Sequence, residues 1–255
     1  MTKRITGLVT VGFLLAAGLS FAQKPKSQKE VDALMAIQNA TDADARIAAI
    51  EALLAKFADT EFKVVVLEMA AETARMKGDS AQTIIYCERV IEADPNNLAG
   101  LSMLANTIGQ TTREFDLDKE EKLKRAESLA NKVITLAPAA KKSNTMLTDE
   151  QWTGRVKDLT SQAHEALAAA AFVRKKNDVA IAEYKIAIES ASVPDPTTMI
   201  RLGLTYTQAQ KYDEAIAMFD KAAAASDNAA VKQVAGQEKV KAVTAKAAQQ
   251  KKATP

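Results

Sequence analysis

The sequence predicts an all-α protein built from successive helix hairpins. Apolar residues recur every three or four positions through most of the chain, and no stretch alternates apolar and polar residues as a half-buried strand would. All six prolines lie outside these helical patterns, and four separate helical runs: Pro95, Pro138, Pro194 and Pro196. Because a proline inside a helix costs about 3 kcal/mol, these residues indicate where helices end.

The first 22 residues have the three parts of a secretory signal peptide. Lys3 and Arg4 form a basic start, residues 5–19 an uncharged apolar stretch, and Ser20-Phe21-Ala22 a cleavage site with small residues at both ends. We expect cleavage after Ala22, which leaves a linker at 23–27 and a periplasmic or extracellular protein. The alternative is an uncleaved inner-membrane anchor, because the apolar stretch reaches about 18 residues, the lower limit for a membrane span.

Residues 28–227 divide into helical units of similar size. A degenerate helix pair covers about 28–60, and clear units cover 64–97 and 196–227. Between them, the unit at 98–138 contains an insertion and the unit at 148–192 has an extended first helix. Residues 228–255 are rich in alanine and lysine, which is typical of a solvated capping helix followed by a basic tail.

The small and aromatic residues of these units resemble the pattern of the tetratricopeptide repeat. In the last unit the matching positions are Leu202, Gly203, Tyr206, Ala215, Phe219 and Ala222. In the unit before it they are Leu167, Ala168, Ala171, Ala180, Tyr184 and Ala187, and in the unit at 64–97 they are Ala70, Ala71, Ala74, Thr83, Cys87, Val90 and Pro95. Small residues permit close helix packing and the rings fill the space beside them. The resemblance implies a right-handed α-solenoid of antiparallel helix pairs, in which each hairpin covers an apolar face of the next.

The insertion enlarges one hairpin. The interval from Pro95 to Pro138 is 43 residues, about nine more than the period of this repeat. Asp118 with Glu121 resembles a capping box and predicts a helix from about 119, while Thr148 with Gln151 predicts a helix that runs towards residue 176. We expect two apolar stripes to meet in this hairpin: Trp152, Val156, Leu159 and Ala163 against Leu123, Ala126, Ala130 and Val133. Trp152, the only tryptophan, is interpreted as closing this hairpin, and the alternative is an exposed anchor for a partner.

No catalytic, metal-binding or cofactor-binding pattern is predicted. Cys87 and His164 are the single cysteine and histidine, and their separation argues against a zinc site or a Cys-His nucleophile. Cys87 lies on an apolar helix face, where we expect it in the core. No glycine-rich phosphate loop occurs. Four carboxylates loosely imitate a calcium loop without its glycine: Asp116, Asp118, Glu120 and Glu127. We therefore expect no metal, no cofactor and no enzymatic activity.

The resemblance also implies where a partner binds. In tetratricopeptide repeat proteins the first helices line a concave groove that receives a peptide or a partner helix. The residues implied for this groove are Glu68, Glu72, Arg75, Ser102, Asn106, Gln110, Glu165, Phe172, Arg201 and Thr207. Asn106 and Arg201 alone suit an anionic ligand, and Glu68 and Glu72 oppose one. A basic or neutral segment is therefore the expected ligand.

Charge is distributed unevenly after the signal peptide. Residues 229–255 carry six lysines and one glutamate, a net charge of +5, which leaves −5 for the rest of the mature chain. The tail lacks the aromatic residues that stack on bases, so nucleic acid is not an expected ligand. We expect an exported adaptor that binds a cell-envelope protein. The alternative is a self-associating or membrane-peripheral scaffold that uses the lysine-rich tail, and the oligomeric state stays open.

Overall fold

The computed structural model describes residues 24–142 and 147–253, and side chains as far as residue 251. The predicted signal peptide at 1–22 lies outside these ranges. Within them the chain forms α-helices, a short 3-10 helix at Ala137–Ala139 and no strand. The helices are α1 (Gln28–Gln38), α2 (Ala43–Lys56), α3 (Lys63–Met76), α4 (Ser80–Ala93), α5 (Leu98–Thr111), α6 (Lys119–Leu136), α7 (Asp149–Val173), α8 (Asn177–Ser190), α9 (Pro196–Gln208), α10 (Tyr212–Ala224) and α11 (Ala229–Ala253).

The helices pack in neighbouring antiparallel pairs, so the predicted all-α, solenoid-type fold class is confirmed. The chain divides into two compact units, one of Met1–Gly100 with Ala139–Thr153 and the other of Leu101–Pro138 with Gly154–Pro255. In the first unit, α1 pairs with α2 and α3 with α4. In the second, α9 packs against both α8 and α10, and α11 covers α10. None of the helices in the described part of the chain has both the length and the apolarity needed to cross a bilayer.

Three hairpins share the same turn. Gly78, Lys175 and Gln210 each adopt a left-handed backbone conformation, with φ of 74°, 59° and 59°. In each turn the next N–H donates to a carbonyl five residues earlier: Asp79 to Ala74 at 3.0 Å, Lys176 to Ala171 at 2.9 Å and Lys211 to Tyr206 at 2.8 Å. This bond is typical of the Schellman motif, whose left-handed residue is usually glycine. Lys175 and Gln210 adopt it at a cost of about 1–2 kcal/mol, so hairpin packing, rather than residue type, imposes the turn there.

The last hairpin confirms the predicted role of its glycine. A Cβ atom built on Gly203 would lie 2.5 Å from Cε1 of Phe219, closer than two carbon atoms can approach without displacement. Phe219 is 1% exposed, and its ring occupies the space that the glycine leaves. The surrounding core of this unit is formed by Ala168, Ile181, Tyr184, Ile200, Leu202, Tyr206, Ala215, Ala222, Ala235 and Ala242.

The enlarged hairpin begins as predicted, but the predicted capping box at Asp118 and Glu121 is wrong. Helix α6 starts at Lys119, yet the Asp118 side chain makes no capping hydrogen bond. Its backbone has φ −97° and ψ 15°, whereas a capping residue usually has an extended backbone. The Asp118 carboxylate instead pairs with Nζ of Lys122 at 2.9 Å.

The second predicted capping box is present. The N–H of Gln151 donates to Oγ1 of Thr148 at 3.1 Å, and the N–H of Thr148 donates to Oε1 of Gln151 at 2.9 Å. Helix α7 ends at Val173 rather than near residue 176. Along the two predicted stripes, the buried residues are Leu123, Ala126, Ala130, Val133, Leu159 and Ala163. Val156 and Trp152 are half-buried, so both interpretations of Trp152 stay predictions.

Candidate functional site

The residues with the greatest chemical reactivity are engaged in packing. Cys87 is fully buried, and burial raises the pKa of its thiol to about 12, which keeps it in the unreactive thiol form at neutral pH. Nδ1 of His164 on α7 lies 2.7 Å from Oε2 of Glu183 on α8, so this pair joins two helices of one hairpin. Among the described residues, no three histidine, cysteine, aspartate or glutamate side chains are grouped to hold a metal ion.

The first three predicted groove residues lie on α3 and have partners within their own unit. Arg75 donates from Nη2 and Nε to the Glu72 carboxylate at 2.5 and 2.8 Å, and the hydrogen bond to Glu72 raises the pKa of Arg75. Glu68 accepts a hydrogen bond from Nδ2 of Asn97 at 2.7 Å. The acidic character expected at this end of the groove is therefore partly compensated by neighbouring side chains.

In the second unit, four predicted groove residues form a closed ring of hydrogen bonds, which we call the polar ring: Asn106, Gln110, Glu165 and Arg201. Arg201 donates to Oε2 of Glu165 at 3.4 Å and to Oε1 of Gln110 at 2.9 Å. Gln110 donates to the side-chain oxygen of Asn106, and Asn106 donates to Oε2 of Glu165 at 3.3 Å. The polar ring joins α5, α7 and α9, the first helices of three hairpins.

Glu165 is the buried centre of the polar ring. It is 7% exposed, and its Oε1 accepts a further hydrogen bond from Oγ1 of Thr198 at 2.6 Å. Burial raises the pKa of the Glu165 carboxyl group, and the hydrogen bond from Thr198 and the charge of Arg201 oppose that rise. Arg201 therefore compensates a carboxylate that the fold has removed from water.

A pocket of about 300 Å³ opens beside the polar ring, at the lower end of the size range of ligand pockets. Gln110 and Arg201 provide polar groups, while Phe172 and Tyr184 provide aromatic ones. Tyr184 is buried, and burial raises the pKa of its hydroxyl group, which therefore stays protonated. The complete lining is Gly109, Gln110, Thr112, Arg113, Glu114, Ala169, Phe172, Val173, Tyr184, Arg201 and Gln208.

Two other predicted groove residues donate hydrogen bonds to backbone carbonyls. Ser102 is fully buried, and its Oγ donates to the carbonyl of Leu159 at 3.0 Å. Its prediction as a groove residue is therefore corrected, because α7 covers the side of α5 that carries it. Thr207 is half-buried and donates to the carbonyl of Gly203 at 3.0 Å. Binding by Glu68, Glu72, Arg75, Asn106, Gln110, Glu165, Phe172, Arg201, Thr207 and the anchor candidate Trp152 stays a prediction.

Several residues of this site were missed from the sequence. Thr198 lies one helical turn before Arg201 on α9, and that spacing alone places both on one face. Gly109 lies inside α5, where a Cβ atom would be 3.2 Å from the carbonyl oxygen of Ala166. A glycine within a helix is a sign of such a close approach. Nothing in the sequence connects Arg113 to the pocket.

The lysine-rich helix α11 is partly neutralised by its own unit. Lys239 pairs with Asp220 on α10 at 2.7 Å, and Lys246 pairs with Asp213 at the start of α10. Lys241 pairs with Glu238 on α11 at 2.6 Å. Three of its lysines therefore have carboxylate partners within the unit, and the membrane-peripheral alternative stays a prediction.

Comparison with known proteins agrees with this fold. The family model of the tetratricopeptide repeat matches residues 196–228, and the comparison with curated proteins returns no match. The structure is similar to that of a thermophilic tetratricopeptide repeat protein of Thermus thermophilus, with a TM-score of 0.54 and 17% identity over 86% of this chain and 95% of that one.

A more distant similarity is to the MamA protein, with a TM-score of 0.42 and 21% identity over 72% of this chain and 88% of that one. Another is to a tetratricopeptide repeat protein of Parabacteroides merdae, with a TM-score of 0.35 and 11% identity over 83% of this chain and 99% of that one. Residues 196–228 of this chain match the tetratricopeptide repeat, and its fold is that of a tetratricopeptide repeat protein.

Proposed function

We propose that this protein is an exported, non-enzymatic adaptor that binds an extended segment of a cell-envelope protein at the pocket beside the polar ring. The fold is one that generally serves in protein–protein interaction, which gives the coarse function. The observation that carries the finer proposal is the convergence of Gln110, Phe172 and Arg201 on one pocket.

The polar ring suits this role because it holds the binding groups in place before a partner arrives. A guanidinium group has five N–H donors, and Arg201 uses two of its nitrogens in the bonds to Glu165 and Gln110. Its side chain is 27% exposed, so it can donate further bonds to carbonyl oxygens of an extended segment. Pre-organised donors raise affinity because little side-chain entropy is lost on binding.

The half-buried ring of Phe172 provides an apolar contact at the same pocket. Aromatic residues at the centre of an interface often carry a large share of the binding free energy. A partner segment therefore needs an apolar side chain for Phe172 and backbone acceptors for Arg201.

Export is the part of the proposal that rests on the first 22 residues. Expression of the full chain is expected to yield a periplasmic or extracellular protein that begins at Gln23, because the signal peptidase cleaves after the small residue Ala22. Intact-mass spectrometry of the fractionated protein measures this. A full-length chain that sediments with the inner membrane would instead support the uncleaved anchor.

Binding is tested by site-specific photocrosslinking in cells. With a photoreactive phenylalanine analogue in place of Phe172, we expect irradiation to produce one dominant adduct with an envelope protein. The matched control carries the same analogue in place of Ile186, an apolar side chain on α8 that is 41% exposed and does not line the pocket. We expect that control to give no such adduct.

A second variant connects the adduct to the pocket chemistry. Gln110→Ala removes one acceptor of Arg201 but leaves the Glu165–Arg201 pair in place, so the protein is expected to fold and to give less adduct at position 172. The same adduct at positions 172 and 186, or none at either, would contradict the proposed function.

A further inference from the structure

Two large apolar side chains are held in solvent next to the pocket. The turn between α5 and α6, residues 112–118, carries Phe115, which is 88% exposed, and Leu117, which is fully exposed. Thr112, Arg113 and Glu114 of the same turn line the pocket. A single exposed apolar residue is ordinary, but two on one turn at the rim of a pocket are typical of a surface that another molecule covers.

Hydrogen bonds, rather than burial of these side chains, hold the turn in shape. The N–H of Arg113 donates to Oδ2 of Asp116 at 3.0 Å, and the N–H of Asp116 donates to the carbonyl of Arg113 at 3.2 Å. The N–H of Lys119 then donates to the carbonyl of Asp116 at 3.2 Å. Phe115 and Leu117 are therefore presented by a structured turn whose shape does not depend on them.

Carboxylates around the turn have cationic partners. Glu114 pairs with Lys175 at 2.5 Å. Asp116 and Asp118 both pair with Lys122, at 3.5 and 2.9 Å. These ion pairs leave little net charge to attract a strongly basic or strongly acidic ligand, so the turn selects by apolar contact.

We infer that the turn 112–118 and the pocket form one docking surface for an extended, weakly charged segment with two large apolar side chains. One side chain enters the pocket beside Phe172, and the other covers Phe115 and Leu117. Continuity supports a single surface, because Glu114 lines the pocket and Phe115 is the next residue. This inference rests on the proposed function and specifies the chemistry of the partner. Of the basic or neutral segments expected from the sequence, it selects the neutral ones.

The test uses random peptides displayed on phage. The full chain is expressed, the protein is purified, and peptides that bind it are selected. We expect the enriched peptides to have low net charge and two large apolar residues. Their affinity is expected to fall about tenfold or more for the double variant Phe115→Ser and Leu117→Ser, because apolar area is no longer buried on binding. Both side chains are exposed, so the variant is expected to keep the circular dichroism spectrum and thermal stability of the parent.

A matched control removes an equal number of exposed apolar side chains elsewhere in the unit. Val179→Ser with Ile186→Ser changes two residues of α8 that are 50% and 41% exposed and lie outside the pocket lining. This control is expected to bind the enriched peptides as the parent does. A loss of affinity in the control equal to that in the turn variant would contradict a specific surface.

Three other results would overturn the inference. In the first case the enriched peptides bind the turn variant with the same affinity as the parent, and in the second they are strongly charged. In the third case the parent self-associates and the turn variant does not, which would identify a second copy of the chain as the occupant. A partner that crosslinks at Phe172 and binds the turn variant unchanged would refute the docking surface alone. Absence of an adduct at Phe172 would refute the proposed function itself.

Discussion

Replacing Phe219 with alanine is expected to lower the free energy of unfolding by about 3–5 kcal/mol. The ring is 1% exposed, belongs to the core of the second unit and lies against Gly203. Gly203 has no side chain with which to fill the cavity, so the helices α9 and α10 can relax only by moving together. Urea denaturation followed by far-ultraviolet circular dichroism measures the change.

The matched control is the same substitution at an exposed phenylalanine. Phe115→Ala removes the same atoms from a ring that is 88% exposed, and surface changes of this kind usually stay within about 0.5 kcal/mol. Similar urea midpoints for Phe219→Ala and Phe115→Ala would show that Phe219 is not a core residue of the folded protein.

Replacing Arg201 with alanine is expected to lower the free energy of unfolding by about 2–3 kcal/mol at neutral pH. The substitution leaves the Glu165 carboxylate, which is 7% exposed, without its cationic partner. It also removes one donor to Gln110. Denaturant unfolding of the single variant, of Glu165→Gln and of the double variant gives the coupling between the two side chains.

Glu165→Gln is the informative partner in this cycle because the amide is neutral and of similar size. In the double variant no charge is left buried and unpaired. The loss of unfolding free energy that Arg201→Ala causes is therefore expected to be smaller in the Glu165→Gln background than in the parent. Additive losses would show that Arg201 stabilises the protein through packing rather than through the charge of Glu165.

The loss of unfolding free energy caused by Arg201→Ala, here called the deficit, is also expected to depend on pH. Burial holds the pKa of Glu165 above its ordinary value of 4.5, so the folded state binds this proton more tightly than the unfolded chain does. The resulting stabilisation is fully present below the ordinary value and is lost as the pH rises through the raised pKa. Removing the Arg201 cation raises that pKa further, so the deficit is expected to be smallest in acid and to grow towards neutral pH. A deficit that does not change with pH would contradict this.

Features that depend on short-range spacing were predictable. Thr148 and Gln151 are three residues apart, and their reciprocal hydrogen bonds form as the capping pattern indicates. Gly203 and Phe219 lie on consecutive helices joined by one short turn, so the repeat pattern was enough to pair them. Asp118 shows the limit of this reasoning, because its identity fits a cap but its backbone conformation does not.

By itself, the sequence determined the helical periodicity, the all-α fold class and which side chains share a helix face. Ser102, Asn106 and Gln110 follow one another at helical spacing, yet α7 buries Ser102 while Gln110 lines the pocket. The polar ring joins Asn106 to Glu165 over 59 residues and Gln110 to Arg201 over 91. Only the tertiary structure decided these contacts, because periodicity places a side chain on a face, whereas hydrogen bonding and burial depend on which distant helix packs against that face.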